Sequence, residues 1–422
     1  MTDIVAMGRI EAVLARAAGA GVFEEEPPLA VFYDLDRFRA RLRAARDAFP
    51  ASTLHALAVK ANPVGPMLRE ARDMGFAAEC ASIVEVLHAR DSGFAPERIV
   101  FDSPAKTARE IGLALDAGLF LNVDNFQELA RVAAHLEEHP SRSIVGIRVN
   151  PSVGAGAIAA LSTAIPTSKF GVTLDEHHDR ILDAFRSLPW LRALHVHVGS
   201  QGCPIELAAA GVRRVATLAD EIEAAAGRRI EVLDIGGGLP VSYDGAGAPT
   251  FAEYARALQA AIPGIFDGRF RLVTEFGRAM SANAGWVASR VEYTKIAGGR
   301  RIAVIHAGAD LLVRTAYLPD TWRHRVTVHD ASGRLKSGAA EPWDIAGPLC
   351  FSGDLVARER PLPPIEPGDL VVVHDAGAYT LSMWSRYNSR RAPAVHGYEG
   401  DSPALRLLKK AESEEDVLRF WA

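Results

Sequence analysis

Between about residue 53 and about residue 285 the chain alternates two textures, and that alternation limits its fold more than any other feature. Short apolar runs, each the length of one strand, are followed by longer runs with helical periodicity. Eight runs read as strands: 53–59, 76–80, 98–101, 119–123, 144–149, 191–198, 230–235 and 270–275. Most are near-continuous in apolar residues, as parallel strands covered on both faces are. Helix starts follow several of them. Ser82-Ile-Val-Glu85 and Thr107-Ala-Arg-Glu110 spell capping boxes, and Asp124-Asn-Phe-Gln127 spells a looser one. Gly93 and Gly118 stand where left-handed helix ends belong. Eight strand–helix units in a row predict a closed (β/α)8 barrel, a TIM barrel, with an open doubly wound sheet as the alternative.

Past residue 285 the texture changes. Runs 287–296, 302–307, 325–329 and 370–373 read as strands, divided by turn signals such as Gly298-Gly299, Ser332-Gly333 and Pro367-Gly368. The chain, at 422 residues, is long enough for two domains. The expected division is a barrel over 35–283 and a mostly β domain built from 1–34 and 284–422.

Composition narrows the function classes. Hydrophobic residues are 49% and charged ones 23%, so a large core can be buried. Net charge is -5 and no basic stripe occurs, which argues against nucleic acid or an anionic membrane as partner. No run approaches the ~20 apolar residues of a membrane helix, and no signal peptide is evident. Cys80, Cys203 and Cys350 are far apart and form no CxxC pair. That speaks against a disulfide framework or a zinc site, and fits a cytoplasmic protein.

In such a barrel the active site lies at the C-terminal strand ends. Those ends read Lys60, Glu79, Asp102, Asp124, Asn150, His197, Gly236 and Glu275. A polar mouth is one reading; ordinary loop residues are the other. The bland reading explains Asp102 and Asp124 well, because acids cap helices. It explains Lys60 and His197 poorly. His195 and His197 alternate along one strand and would share a face, yet no third metal-ligand motif is evident, so no metal is expected. The three glycines of Asp234-Ile-Gly-Gly-Gly-Leu-Pro240 would let backbone amides form an anion nest. The GxGxxG pattern of a dinucleotide site is missing.

Taken together, these stretches resemble the fold-type III pyridoxal-phosphate decarboxylases, the group of the diaminopimelate, arginine and ornithine enzymes. Ala58-Val-Lys-Ala-Asn62 looks like the family's cofactor-lysine motif, and His197-Val-Gly-Ser-Gln201 like its HxGSQ motif. The Asp234–Pro240 segment looks like its phosphate loop, and Glu275-Phe-Gly-Arg278 like its EPGR, with Phe for Pro. Gly347-Pro-Leu-Cys-Phe-Ser-Gly-Asp354 is similar to its CESGD segment, and Ala376-Gly-Ala-Tyr379 to its GAY segment. The resemblance runs from Val31-Phe-Tyr-Asp34 to Tyr387-Asn388-Ser389-Arg390. It implies an alanine-racemase-type barrel and a pyridoxal 5'-phosphate cofactor carried by Lys60. It implies that His197 lies against the pyridine ring and that Glu275 pairs with the ring nitrogen. Gly236, Gly237, Gly238, Ser200 and Tyr379 would bind the phosphate. Cys350 would come from the partner subunit of a head-to-tail homodimer with shared active sites and help return a proton to the substrate. Arg278, Arg314, Phe351 and Asp354 would meet the substrate.

The departures bear on the substrate. Where the diaminopimelate enzymes use the Glu of CESGD to hold a distal ammonium, this chain has Phe351. Losing that charge-assisted bond costs about 1.5–3 kcal/mol. Arg278 and Arg314 keep the positions of the family's carboxylate clamp, whereas the RPxxY motif around Arg314 has lost its Pro and carries Tyr317 one place early. The resulting expectation is a small-molecule amino acid, or amino-acid conjugate, with a carboxylate-bearing distal part, such as a citryl-diaminopropionate-type intermediate of siderophore biosynthesis. A free amino acid such as diaminopimelate is the alternative, as are a racemase and a non-catalytic regulatory homologue.

Overall fold

The computed structural model describes residues 5–400 and 404–422. The chain divides into two compact units. One comprises Arg41–Val241 and Pro249–Ala279; the other comprises Met1–Ala40, Ser242–Ala248 and Met280–Ala422.

The first unit is a ring of eight parallel strands: Leu54–Ala58, Ala77–Cys80, Ile99–Asp102, Phe120–Val123, Ile144–Asn150, Leu191–His195, Val232–Asp234 and Arg271–Thr274. Each pairs with the next, and the last returns to the first through Val273↔Leu54 and Thr274↔His55. The barrel is therefore closed, and the open-sheet alternative falls. Its floor is a compact apolar layer in which almost every strand places a side chain. Leu54, Ala56, Ala77, Val100, Phe120, Ala193, Val232 and Val273 fill it. Residues from alanine to phenylalanine share this layer, and all are buried, so it is a packed core and not a pore.

Local signals set the helices on the ring. Thr107 and Glu110 form a complete capping box at the start of Ala108–Ala117, and Gly118 ends that helix at φ 78°. Ser82 accepts from the Glu85 amide, but the Glu85 carboxylate reaches back to Ala81 N–H. The third cap lies one residue further on than the sequence suggests. Asn125 accepts from Glu128 N–H, and Glu128 accepts from Asp124 N–H. Glu128 also meets the buried Lys106 at 2.9 Å, an ion pair that favours this register over one capped by Asp124.

In the second unit the strand Leu29–Asp34 is wholly buried. It pairs antiparallel with Gly285–Ala297 and parallel with Ala394–Tyr398. Gly285–Ala297 also carries Arg300–Ile305 and Leu370–Val373, and the latter pairs with Val326–His329. Glu341–Ala346, Leu355–Leu362 and Arg406–Lys409 complete the sheet. The helix Met7–Gly19 buries Ile10, Val13, Leu14 and Ala17, an i, i+3, i+4, i+7 stripe. The same core holds Phe32, Trp286, Ala288 and Val372, with Phe32 stacked on Trp286 at 4.3 Å. Among the described residues, no helix is long and apolar enough to cross a membrane.

Candidate active site

Above the apolar floor, the C-terminal ends of the barrel strands carry a polar layer. Glu79, Asp102, Asn122, Arg148, His195, Asp234 and Glu275 are all buried there. They meet one another across the ring. Arg148 Nη1 donates to Asp102 Oδ2 at 2.7 Å. His195 stands between two acids, with Nε2 3.3 Å from Glu275 Oε2 and Nδ1 3.8 Å from Asp102 Oδ2. Asn122 Nδ2 donates to Asp234 Oδ2 at 3.2 Å.

Burial opposes charge on every member, and neighbours decide which stay charged. At His195 burial is outweighed by Glu275 and Asp102, and its pKa rises to about 9. At Glu275 burial is outweighed by His195, which holds the carboxyl well below its usual range. At Asp102 burial is outweighed by Arg148 and then His195, and its pKa is lowered. Asp234 has burial and the Glu275 charge acting in the same direction, and its carboxyl is pushed far up. Around His195 the layer thus sets two acids held low, Asp102 and Glu275, against two cations, Arg148 and His195, with Asp234 pushed up beside them. Asp102, His195 and Glu275 also bring metal-ligand atom types within 4.8 Å of one another. Arg148 and His195 place cationic groups against these acids, as a salt network does.

Lys60 sits on the single turn Val59–Ala61 that follows the first barrel strand. Its side chain is 36% exposed, and Nζ donates to the fully buried Glu79 Oε1 at 2.5 Å. Burial raises the Glu79 carboxyl even with Lys60 beside it. The pair can therefore share a proton.

The expectation that His195 and His197 share one strand face is corrected. The strand ends at His195, and His197 lies in the loop beyond it. His197 Nδ1 accepts from Gly237 N–H at 3.1 Å. Burial, then Arg148, lowers its pKa to about 3, so the ring is neutral with its proton on Nε2. In the glycine loop Gly236 N–H donates to Asp234 Oδ1 and Gly237 N–H to His197 Nδ1. These glycines are needed for close approach. A Cβ on Gly237 would stand 2.3 Å from Glu275 O, and one on Gly238 2.1 Å from Gly199 O.

Ser200 Oγ accepts from the buried Arg278 at 3.0 Å. Phe276, the Phe that replaces the family's Pro, packs among Phe49, Phe251 and Tyr254. Asp124 and Asn150 serve loops. Asp124 accepts from Gly171 N–H, while Asn150 donates to Ile165 O and accepts from Ser152 N–H. Asp102, which reads as a cap in the sequence, belongs to the ionic layer instead. Sequence reasoning missed Asn122, Arg148, His195 and Asp234 as members. The signal was present: each is a polar residue within or ending an apolar run, and Asn122, Arg148 and His195 precede strand-end polar residues by two.

In the second unit Cys350 is exposed. Its N–H donates to Asn388 Oδ1 at 2.8 Å, and Tyr387 Oη donates to its carbonyl at 3.1 Å. Phe351 is 42% exposed and meets Tyr387 edge-on, with ring centroids 6.3 Å apart. Asp354 is buried and accepts from Ala309 N–H and Leu349 N–H, which makes it the brace of this loop. The Arg314 guanidinium lies over both Trp322 and Tyr379, at 4.8 and 4.6 Å from their centroids. Tyr379 has φ 55°, and Tyr317 is exposed.

Residues 35–282 match the pyridoxal binding domain of the pyridoxal-dependent decarboxylases. The chain is 31% identical to diaminopimelate decarboxylase of Helicobacter pylori over 392 residues, 92% of this chain and 94% of that one. It is 32% identical to the Zymomonas mobilis diaminopimelate decarboxylase over 402 residues, covering 92% and 90% of the two chains. The crystal structure of the Helicobacter pylori enzyme complexed with L-lysine superposes with a TM-score of 0.84 at 28% identity, over 96% of this chain and 99% of that one. The barrel mouth suits such a cofactor on its own terms. Glu275 Oε1 and Glu79 Oε2 are buried acceptors without a hydrogen-bond partner, as a site built for a cationic ring and an amine would leave them. The loop that passes them tolerates no side chain at its glycines. The chain belongs to the pyridoxal-dependent decarboxylases, and it is a pyridoxal-phosphate-dependent amino-acid carboxy-lyase.

Proposed function

We propose that this enzyme removes the α-carboxylate of an amino acid that carries a second carboxylate at its distal end. Arg278 carries the reading: a buried guanidinium at the barrel mouth suits a planar carboxylate. The relatives are named for diaminopimelate, so diaminopimelate is the first member of the class. Phe351 favours a second reading, in which the distal part is a conjugate without a free ammonium, such as a citryl-diaminopropionate-type siderophore intermediate.

In this reading Lys60 holds the cofactor, Glu275 faces its ring nitrogen and His197 lies against its ring. Ser200 and the Gly236–Gly238 loop would take its phosphate. When bound, pyridoxal phosphate supplies a ring that accepts the electron pair left as the Cα–CO2 bond breaks. Glu275, held ionised, keeps the ring nitrogen protonated and so keeps that sink strong. Glu79, in contact with Lys60 Nζ, would give the amine a proton when it is free and take one up when it is bound. His197, being neutral, adds no charge that would pin the α-carboxylate in place. Cys350, presented by a second copy of the chain in a homodimer, returns a proton to Cα. Arg278 holds the distal carboxylate.

Carbon dioxide release from the holoenzyme tests the reading. The panel contains meso-diaminopimelate, lysine, ornithine, arginine and citryl conjugates of diaminopropionate. Substrates with a distal carboxylate should exceed lysine, ornithine and arginine by about tenfold or more in kcat/KM, one lost charge-assisted contact. Equal rates across the panel sink the proposal. Diaminopimelate turned over as fast as any conjugate ends the second reading.

A further inference from the structure

His195 has no task in that chemistry, yet it occupies the centre of the polar layer and is wholly buried. Its two ring nitrogens face different acids, Glu275 at 3.3 Å and Asp102 at 3.8 Å. The two Glu275 oxygens are correspondingly unlike. Oε2 points to His195, while Oε1 is buried without a hydrogen-bond partner. We propose that His195 is a positioning residue whose charged ring, wedged between Asp102 and Glu275, holds Glu275 ionised and turns Oε1 toward the cofactor's ring nitrogen. This rests on the reading that Glu275 meets that nitrogen.

The groups facing His195 make the case. Glu275, Asp102 and Asp234 approach from the ends of three different strands. Arg148 stands behind Asp102, and Lys60 and His197 stand beside Glu275. With Asp234 protonated, Arg148 and His195 balance Asp102 and Glu275. Without the His195 charge, one buried carboxylate loses its counter-ion, and a group in that position takes up a proton. A protonated Glu275 cannot keep the ring nitrogen charged. His195 therefore acts on the reaction through Glu275 and not by touching the substrate.

The sign of the pH effect follows. The folded pKa of about 9 lies above the unfolded value of ~6.5. The stability contributed by this ion pair is fully present below pH ~6.5 and is lost as pH rises through about 9.

The experiment compares the full-length wild type with His195→Gln, Glu275→Gln and the double variant. Three quantities are read: cofactor affinity from titration of the apoprotein with pyridoxal phosphate, kcat and KM per bound cofactor, and apoprotein Tm from pH 6 to 10. His195→Gln should weaken cofactor affinity and lower kcat by about tenfold each, in line with ~10–100-fold effects of residues that orient a cofactor's direct partners. KM should stay within about threefold, and the decline of Tm above pH 8 should flatten. In the Glu275→Gln background, His195→Gln should change affinity and kcat less than about twofold, because its effect passes through Glu275. A His195→Gln protein with lowered Tm but wild-type affinity and kcat overturns the proposal, as does a double variant whose losses simply multiply. If Glu275→Gln alone binds cofactor with wild-type affinity and absorption spectrum, the reading of Glu275 fails first and takes the proposal with it.

Discussion

The barrel mouth and the Cys350 loop both carry residues with chemistry, but they hold them in opposite ways. At the mouth the groups sit at or just beyond strand ends, mostly buried, and neighbours act on the acids: Arg148 on Asp102, His195 on Glu275, Lys60 on Glu79. Around Cys350 the groups sit in a surface loop. Phe351 and Tyr387 are 42% and 46% exposed, and a few backbone bonds to Tyr387, Asn388 and Asp354 give the loop its shape. A buried ionic layer tolerates little change, since removing one member strands another. A loop tip tolerates change readily. On the proposed reading the cofactor and one carboxylate-binding arginine, Arg278, belong to the buried layer's side of this contrast, and Phe351 to the loop's.

The largest effect that would sharpen this contrast is at Lys60. Lys60→Ala should lower decarboxylation by ~10⁴-fold or more, the scale on which enzymes lose a nucleophile. The visible absorption band of the bound cofactor should vanish. The fold should survive, because Glu79, already raised by burial, can answer the loss by taking a proton. A Tm drop beyond ~10 °C would contradict that.

Phe351→Glu probes the loop in turn. It should raise kcat/KM for substrates with a distal ammonium by ~10–100-fold, which corresponds to about 1.5–3 kcal/mol. Tm should stay within ~2 °C, because exposed substitutions change stability little. Unchanged specificity would mean that the loop does not select the substrate. Gly237→Ala addresses the packing of the mouth. A methyl 2.3 Å from Glu275 O forces the backbone apart, so stability should fall by ~1–3 kcal/mol, read from urea unfolding, with weaker cofactor binding alongside. The smallest effect belongs to Thr107→Ala, which removes a helix cap and should cost ~1 kcal/mol while leaving kcat and KM unchanged.

The eight barrel strands were legible because parallel strands covered on both faces are near-continuous in apolar residues, as 53–59 and 119–123 are. Leu29–Asp34 was harder to read. Its partners, Gly285–Ala297 and Ala394–Tyr398, lie at the far end of the chain, and no local pattern announces pairing at that distance. Glu341–Ala346 and Leu355–Leu362 were hidden by Pro342, Arg358 and Arg360, polar or turn-forming residues that an irregular edge with shifted register accommodates. Site residues at strand ends could be picked out one by one, since a lysine or histidine closing an apolar run is conspicuous. The inner layer could not. Asp102 looks like a helix cap, and His195 looks like the weaker half of a histidine pair, until the closed ring brings Ile99–Asp102, Leu191–His195 and Arg271–Thr274 around one axis. The hydrogen bonds from Gly236 to Asp234 and from Gly237 to His197 could not be read either, because a glycine run shows where the backbone can come close but not which side chain meets it.

The placement of Leu29–Asp34 has a consequence for how the protein is made. This strand leaves the ribosome early, yet its hydrogen-bonding edges stay bare until Gly285–Ala297 and then Ala394–Tyr398 have been synthesised. The barrel strands, contiguous in sequence, can close in the meantime. The β-rich unit must wait for both ends of the chain. Throughout that interval the nascent protein carries a largely apolar strand with neither edge paired, which makes it an exposure to aggregation and a point where a chaperone has something to protect.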